Sequence, residues 1–152
     1  MSNYTEKQRK CFNEFFSLIV KSFPSCLVSS TEMLNTQTAL SKTDAEHLID
    51  KLCEDKWLEK EKGKVSLGVR SLIELKEVLS SQLSVTQAEL LDKDTAEPPK
   101  CFACKGLVVR AKSCKKCKEK KDCTYLHVYC EARLVSAENR NKICPKCKSA
   151  WN

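Results

Sequence analysis

Apolar residues in the first eighty positions fall into four groups with different periods. Thr5-x-x-Gln8 has the form of a helix-opening capping box. Phe12, Phe15, Phe16, Ile19, Val20 and Phe23 then recur at helical spacing until Pro24, so a first helix is predicted to end there. Ser29-x-x-Glu32 opens a second, shorter helix with Met33 and Leu34. Thr43-x-x-Glu46 opens a third, with Ala45, Leu48, Ile49, Leu52 and Cys53 along one face. WLEKEKGKVSLG, Trp57 to Gly68, has apolar ends around a charged turn containing Gly63 and is expected to form a β-hairpin. A last helix is expected to carry Val69, Leu72, Ile73, Leu75 and Leu79.

Three helices followed by a hairpin is the order of a winged helix, in which the third helix follows a helix-turn-helix bend. The pattern then stops. SVTQAELLDKDTAEPPK, Ser84 to Lys100, has no sustained apolar period and ends in Pro98-Pro99, so it is expected to be a linker. The predicted organisation is α+β: a winged helix over residues 1–83, a linker over 84–100, and a small zinc domain over 101–152.

The cysteines define that last part. Of 11 in the chain, Cys11, Cys26 and Cys53 are scattered and the other eight lie between Cys101 and Cys147. Met1 to Arg9 is polar and the apolar runs are short, which predicts neither a secretory signal nor a membrane span. In a reducing setting, clustered thiols are metal ligands before they are disulfides. Four pairs share one spacing: Cys101-x-x-Cys104, Cys114-x-x-Cys117, His127-x-x-Cys130 and Cys144-x-x-Cys147. A two-residue gap lets both side chains of a tight turn reach one tetrahedral ion, so eight ligands imply two zinc ions. Cys123 is left over; the other register pairs Cys123 with His127 and leaves Cys130 spare.

Charge separates the two halves. The net charge of +7 divides into −3 for Met1 to Glu97 and +10 for Pro98 to Asn152. Seven thiolates and two zinc ions would lower the latter to about +7. The third helix would be the groove reader of a DNA-binding winged helix. Its polar face carries Asp44, Glu46, His47, Asp50, Lys51, Glu54 and Asp55, which repels phosphate and favours docking to a protein. Lys60, Lys62 and Lys64 of the hairpin alternate with Glu59 and Glu61. His47 is expected to be solvated and Cys53 buried.

The order of four cysteines, one histidine and three cysteines resembles the variant RING and PHD classes. Lys142 stands where PHD fingers usually carry an aromatic, whereas Cys144-Pro145-Lys146-Cys147 is similar to the last turn of a RING. The cross-braced arrangement of those classes assigns Cys101, Cys104, His127 and Cys130 to one zinc. It assigns Cys114, Cys117, Cys144 and Cys147 to the other. Cys123 then sits in KEKKDCTYL, a segment that is usually shorter.

From Phe12 to Trp151 the chain resembles the RING-bearing non-SMC element of the SMC five–six DNA-repair complex. The resemblance rests on DKWLEKEKGKVSLGVRSLIEL, on the order of the two modules, and on CPxC followed by Trp151. Members usually carry a further winged helix ahead of this one, so a short form or a fragment is implied. The resemblance implies a nuclear subunit that binds a MAGE-type partner, supports recombinational repair and acts as a ubiquitin ligase. A RING works by positioning, holding a ubiquitin-conjugating enzyme and its thioester-linked ubiquitin. By family position Phe102, Ala103, Leu134 and Pro145 would form the docking shelf for that enzyme, and Lys148 would be the ubiquitin-positioning cation. Ala103 is smaller than the residue usual there, which implies weak activity without the partner. Two other functions fit the same residues. One is a structural zinc module for subunit assembly without ligase activity. The other is a weak contact with nucleic acid through Lys112, Lys115, Lys116, Lys118, Lys120 and Lys121, with Tyr125 and Tyr129 to stack bases.

Overall fold

A computed structural model describes residues 3–23, 25–113, 125–127, 130–131, 144 and 148. The chain divides into two compact units, Met1–Ser22 with Cys26–Leu79, and Phe23–Ser25 with Ser80–Asn152. The first contains α1 (Glu6–Lys21), β1 (Val28–Ser29), α2 (Ser30–Thr36), α3 (Lys42–Glu54), β2 (Leu58–Glu61), β3 (Lys64–Leu67) and α4 (Val69–Glu74). The division falls within α5 (Lys76–Leu90), and the second unit also has β4 (Ala111–Ser113) and β5 (Tyr125–His127). Among the described residues no helix is long and apolar enough to cross a membrane.

Helix starts follow local hydrogen-bond chemistry. At α1 the capping box is complete, with the Gln8 N–H donating to Thr5 Oγ1 (3.1 Å) and the Thr5 N–H to Gln8 Oε1 (2.9 Å). The Ser29 hydroxyl caps α2 by accepting the Glu32 N–H. For α3 the sequence pointed to Thr43, but Ser41 is the cap, its hydroxyl accepting the Asp44 N–H (3.2 Å). A serine two residues earlier competes for the same role and lengthens the helix by two residues. Gln37 pins the bend between α2 and α3: its amide donates to the Leu40 carbonyl and accepts the Leu40 N–H.

The sheet has the order β1-β3-β2, antiparallel throughout, with Val28 opposite Val65 and Leu58 opposite Leu67. The β2–β3 turn is Lys62-Gly63, both with positive φ (52° and 77°), the backbone that matches a two-residue hairpin to strand twist. Phe12, Phe15 and Ile19 of α1, Leu48, Ile49 and Leu52 of α3, and Trp57 are all buried and form the core of this unit. The Phe12 ring meets Trp57 edge-on at 6.0 Å. Cys53, expected inside, is only half-buried, because it sits beside rather than under the α3 stripe.

Two expectations fail after Gly68. The single helix expected there is two, broken at Leu75, and α4 is turned so that Val69, Leu72 and Ile73 are exposed. What fastens the helix to the hairpin is polar. The Arg70 N–H donates to the Lys56 carbonyl (3.0 Å), the Arg70 guanidinium lies 4.5 Å from the centre of the Trp57 ring, and the buried Ser71 hydroxyl donates to the Trp57 carbonyl (2.6 Å). The expected linker from Ser84 is helical as far as Leu90. Leu83, Thr86, Gln87 and Ala88 are buried there, with Thr86 Oγ1 donating to the Gln82 carbonyl and Gln87 Oε1 accepting from the Tyr125 hydroxyl. Polar residues with satisfied partners bury without showing an apolar period, which is why the pattern looked like a linker.

Gly68 is the tightest point of the first unit. A Cβ there would lie 2.2 Å from the Lys56 carbonyl oxygen and 2.8 Å from its carbon. Both are backbone atoms, so no side chain can move aside. Gly68→Ala should therefore destabilise the first unit by roughly 1–3 kcal/mol or more, read as a lower urea midpoint in zinc-containing buffer. An unchanged midpoint would show that the hairpin and α4 separate freely.

Candidate metal centre

The centre is built from one turn, one strand and one short helical end of the second unit. Cys101 and Cys104 sit in a turn closed by the Lys105 N–H donating to the Cys101 carbonyl (2.9 Å), with Lys105 at φ 64°. The turn is held from outside by the Cys101 N–H on the Gly106 carbonyl (2.8 Å) and the Phe102 N–H on the Tyr125 carbonyl (2.9 Å). Tyr125 therefore anchors the first pair to β5, the strand that carries His127. Its ring packs against Phe23 at 4.9 Å and its hydroxyl reaches Gln87 (3.0 Å). In β5, Ala111 of β4 stands opposite His127. Cys130 follows three residues later, where the chain turns helical.

These elements bring Cys101, Cys104, His127 and Cys130 together, with their ligand atoms all within 4.8 Å of one another. His127 presents Nδ1 to the cluster, 3.4 Å from Cys104 Sγ and 3.7 Å from Cys130 Sγ. A tetrahedral ion with metal–sulfur bonds of about 2.3 Å and metal–nitrogen bonds of about 2.1 Å puts those atoms about 3.6 Å apart. The measured edges bracket that length, so the four donors fit one tetrahedral ion. The other ring nitrogen, Nε2, lies 2.9 Å from the Leu107 carbonyl oxygen, which can only accept. Nε2 therefore carries the proton and Nδ1 keeps its lone pair for a metal.

The thiols are unequal. Burial opposes ionisation of Cys101, but the backbone N–H groups of Cys104, His127 and Ala103 and the Cys130 thiol outweigh it and bring Cys101 down to about 6. Cys130 is pushed up to about 11, by burial and then by Cys101 and Cys104 facing it. Near neutral pH the cluster thus holds a ready thiolate at Cys101, the form that binds metal.

Cys144 is fully buried, and the Lys148 N–H donates to its carbonyl (3.0 Å) with Lys148 at φ 61°. Lys105 makes the same hydrogen bond to the Cys101 carbonyl, at φ 64°. Cys114, Cys117 and Cys147, the rest of the second expected set, lie outside the described residues, as do Cys123, Leu134 and Pro145. Phe102 is 39% exposed and Ala103 and Lys148 are exposed. Lys105 Nζ lies 4.6 Å from the centre of the Phe102 ring, a contact the sequence reading missed. Its signal was present: Lys105, Lys118 and Lys148 each directly follow a CxxC pair. On α3, Asp44, Glu46, His47, Asp50 and Glu54 are exposed. Asp55 instead accepts from the Tyr4 hydroxyl, and Lys51 lies over the Tyr4 ring at 4.3 Å. The exposed face of α3 is more acidic than its composition. Of the basic cluster, Lys112 is on β4 and Lys115, Lys116, Lys118, Lys120, Lys121 and Tyr129 lie outside the described residues.

A mixed α+β chain with a Cys3His cluster that could hold one metal ion is the class these features define. Residues 4–75 match the family model described as "Nse1 non-SMC component of SMC5-6 complex". Proteins named "Non-structural maintenance of chromosomes element 1 homolog" from Bos taurus and Homo sapiens are each 24% identical over 155 residues, covering 99% of this chain and 52% of theirs. The Xenopus tropicalis protein of that name is 24% identical over 156 residues, covering 99% and 51%. A solved chain from a structure titled "Nse1-Nse3-Nse4 complex" superposes with a TM-score of 0.71 at 22% identity, covering 99% of this chain and 59% of that one. The chain thus spans about half the length of the curated relatives it matches. Its similarity to the Nse1 homologues extends over nearly all its residues, and residues 4–75 match the Nse1 family model.

The two registers of the sequence predict opposite results for Cys123 and Cys130. Cys130→Ser and His127→Ala should each lose one equivalent of zinc, whereas Cys123→Ser should lose none. Metal content of the purified variants by atomic emission checks this, and the reverse pattern would reassign the site.

Proposed function

We propose that this chain is an Nse1-type subunit of an SMC5-6 chromosome-maintenance complex, acting in the nucleus in DNA repair and recombination. In this reading the first unit is a winged helix that docks a MAGE-type Nse3 subunit, with Nse4 in the same assembly. Residues 101–152 are a two-zinc variant RING that engages a ubiquitin-conjugating enzyme.

One observation carries the RING reading. The cluster unites the first and third ligand pairs, Cys101–Cys104 and His127–Cys130, and leaves the second pair between them in sequence. Two consecutive zinc knuckles would unite neighbouring pairs; a cross-braced domain unites alternate ones. The hydrogen bond from the Lys148 N–H to the carbonyl of buried Cys144, the counterpart of that from Lys105 to Cys101, supports a second ion. Zinc is the metal that suits three thiolates and one imidazole in a closed tetrahedron.

The ligase chemistry asks only for surfaces. Exposed Phe102 and Ala103, with Leu134 and Pro145, would receive the conjugating enzyme, and the Lys148 side chain would steady ubiquitin. Lys148 suits that role because its αL backbone follows the last ligand pair directly and its side chain is exposed. Acceleration then comes from holding the thioester in a reactive pose. The acidic exposed face of α3 argues against groove reading and for a protein partner.

Native mass spectrometry should show two zinc ions per chain. With Nse3 bound, Lys148→Ala should slow ubiquitin discharge from the conjugating enzyme about tenfold, the equivalent of about 1.4 kcal/mol in barrier. Zinc content and Nse3 binding should not change. Equal discharge by wild type and Lys148→Ala, at the rate of the conjugating enzyme alone, would leave a zinc module that only assembles subunits.

A further inference from the structure

The α4 helix is inside out. Val69, Leu72 and Ile73 stand at i, i+3 and i+4, which places them on one side of the helix, and they are 58%, 38% and 71% exposed. Val78 in the first turn of α5 is 50% exposed. The first unit thus turns four large aliphatic side chains to water within a single short stretch, while Ser71 is buried. Isolated apolar side chains on a surface are ordinary; a cluster on one helix face marks a contact surface.

We propose that the outward side of α4 and the first turn of α5, with Val69, Leu72, Ile73 and Val78, is the surface that binds the MAGE-type Nse3 subunit. This rests on the partner reading given above and assigns that partner a place. The charges of the stretch exclude other classes of occupant. Arg70 is paired with Glu74 at 3.2 Å, and Lys76 is followed by Glu77, so the face has no net positive charge to hold nucleic acid. A six-residue helix without a basic border is also a poor membrane anchor. A neutral, aliphatic patch with a charged rim is suited to another protein. The solved chain that shares this fold over 99% of the present residues comes from an assembly of different subunits, which favours Nse3 over a second copy of this chain. The acidic face of α3 then remains free for other contacts.

The test uses the full chain, zinc-loaded, and purified Nse3 from the same source, with affinity measured by isothermal titration calorimetry. Ile73→Glu should raise Kd at least about tenfold and Val78→Lys should weaken binding in the same direction, because a charge would be buried at the contact. Val85→Glu, an equally exposed aliphatic position in the second unit, should bind as wild type. Thermal unfolding and zinc content should match wild type for all three, as the substituted side chains are at least half exposed. If Ile73→Glu and Val78→Lys bind Nse3 with wild-type affinity, this surface assignment is wrong while the partner reading stands. If sedimentation shows a dimer that Ile73→Glu dissolves, with Nse3 affinity unaltered, the face belongs to a second copy and the assignment is overturned. If wild type itself does not bind Nse3, the partner reading falls and the assignment with it.

Discussion

The carbonyls of Lys56 and Trp57 organise the first unit. Three donors converge on them: the Gly68 N–H and the Ser71 hydroxyl on Trp57, and the Arg70 N–H on Lys56; the Trp57 N–H itself runs to the Leu52 carbonyl in the last turn of α3. Gly68 is admitted only because it has no Cβ. Helix α4 is consequently fastened by backbone and hydroxyl groups rather than by buried aliphatic side chains. A helix held by its polar side must turn its other side outward. The exposure of Leu72 and Ile73 follows from that fastening and owes nothing to their hydrophobicity.

The metal centre shows the same economy with a different result. Its donors come from a turn and a strand whose main-chain atoms do most of the positioning. The Phe102 N–H is tied to Tyr125, and the His127 ring is fixed by the Leu107 carbonyl. The Leu107 carbonyl thus sets the ring orientation and the tautomer that leaves Nδ1 to the cluster. The three N–H groups aimed at Cys101 stabilise charge on that sulfur in the same way.

Much of this was legible in the sequence because it depends on local chemistry. Capping boxes, a charged hairpin turn with Gly63, the α1 stripe of phenylalanines and two-residue ligand gaps all act between near neighbours. The errors lie where distant groups decide. Ser41 displaced Thr43 as a cap because two acceptable caps were two residues apart. Ser84 to Leu90 read as a linker because the burial of Thr86 and Gln87 depends on the carbonyl of Gln82 and the hydroxyl of Tyr125. The orientation of α4 depends on a carbonyl twelve or more residues upstream, and no periodicity analysis can see a carbonyl. The lock on His127 was invisible for the same reason.

The sheet of the first unit has two edges, and neither invites extension. One is β1, only two residues long; the other is β2, where Glu59, Lys60 and Glu61 are all exposed and alternate in sign. A strand laid along β2 would meet Glu59 and Glu61 on one face and Lys60 on the other, and along β1 it would find too few backbone groups to pair. Recruitment by strand addition is closed to this unit, as is runaway stacking of partly folded copies into fibres. What this unit assembles with is met by helix faces and loops, so those associations depend on side-chain identity and can be retuned by single substitutions without touching its sheet.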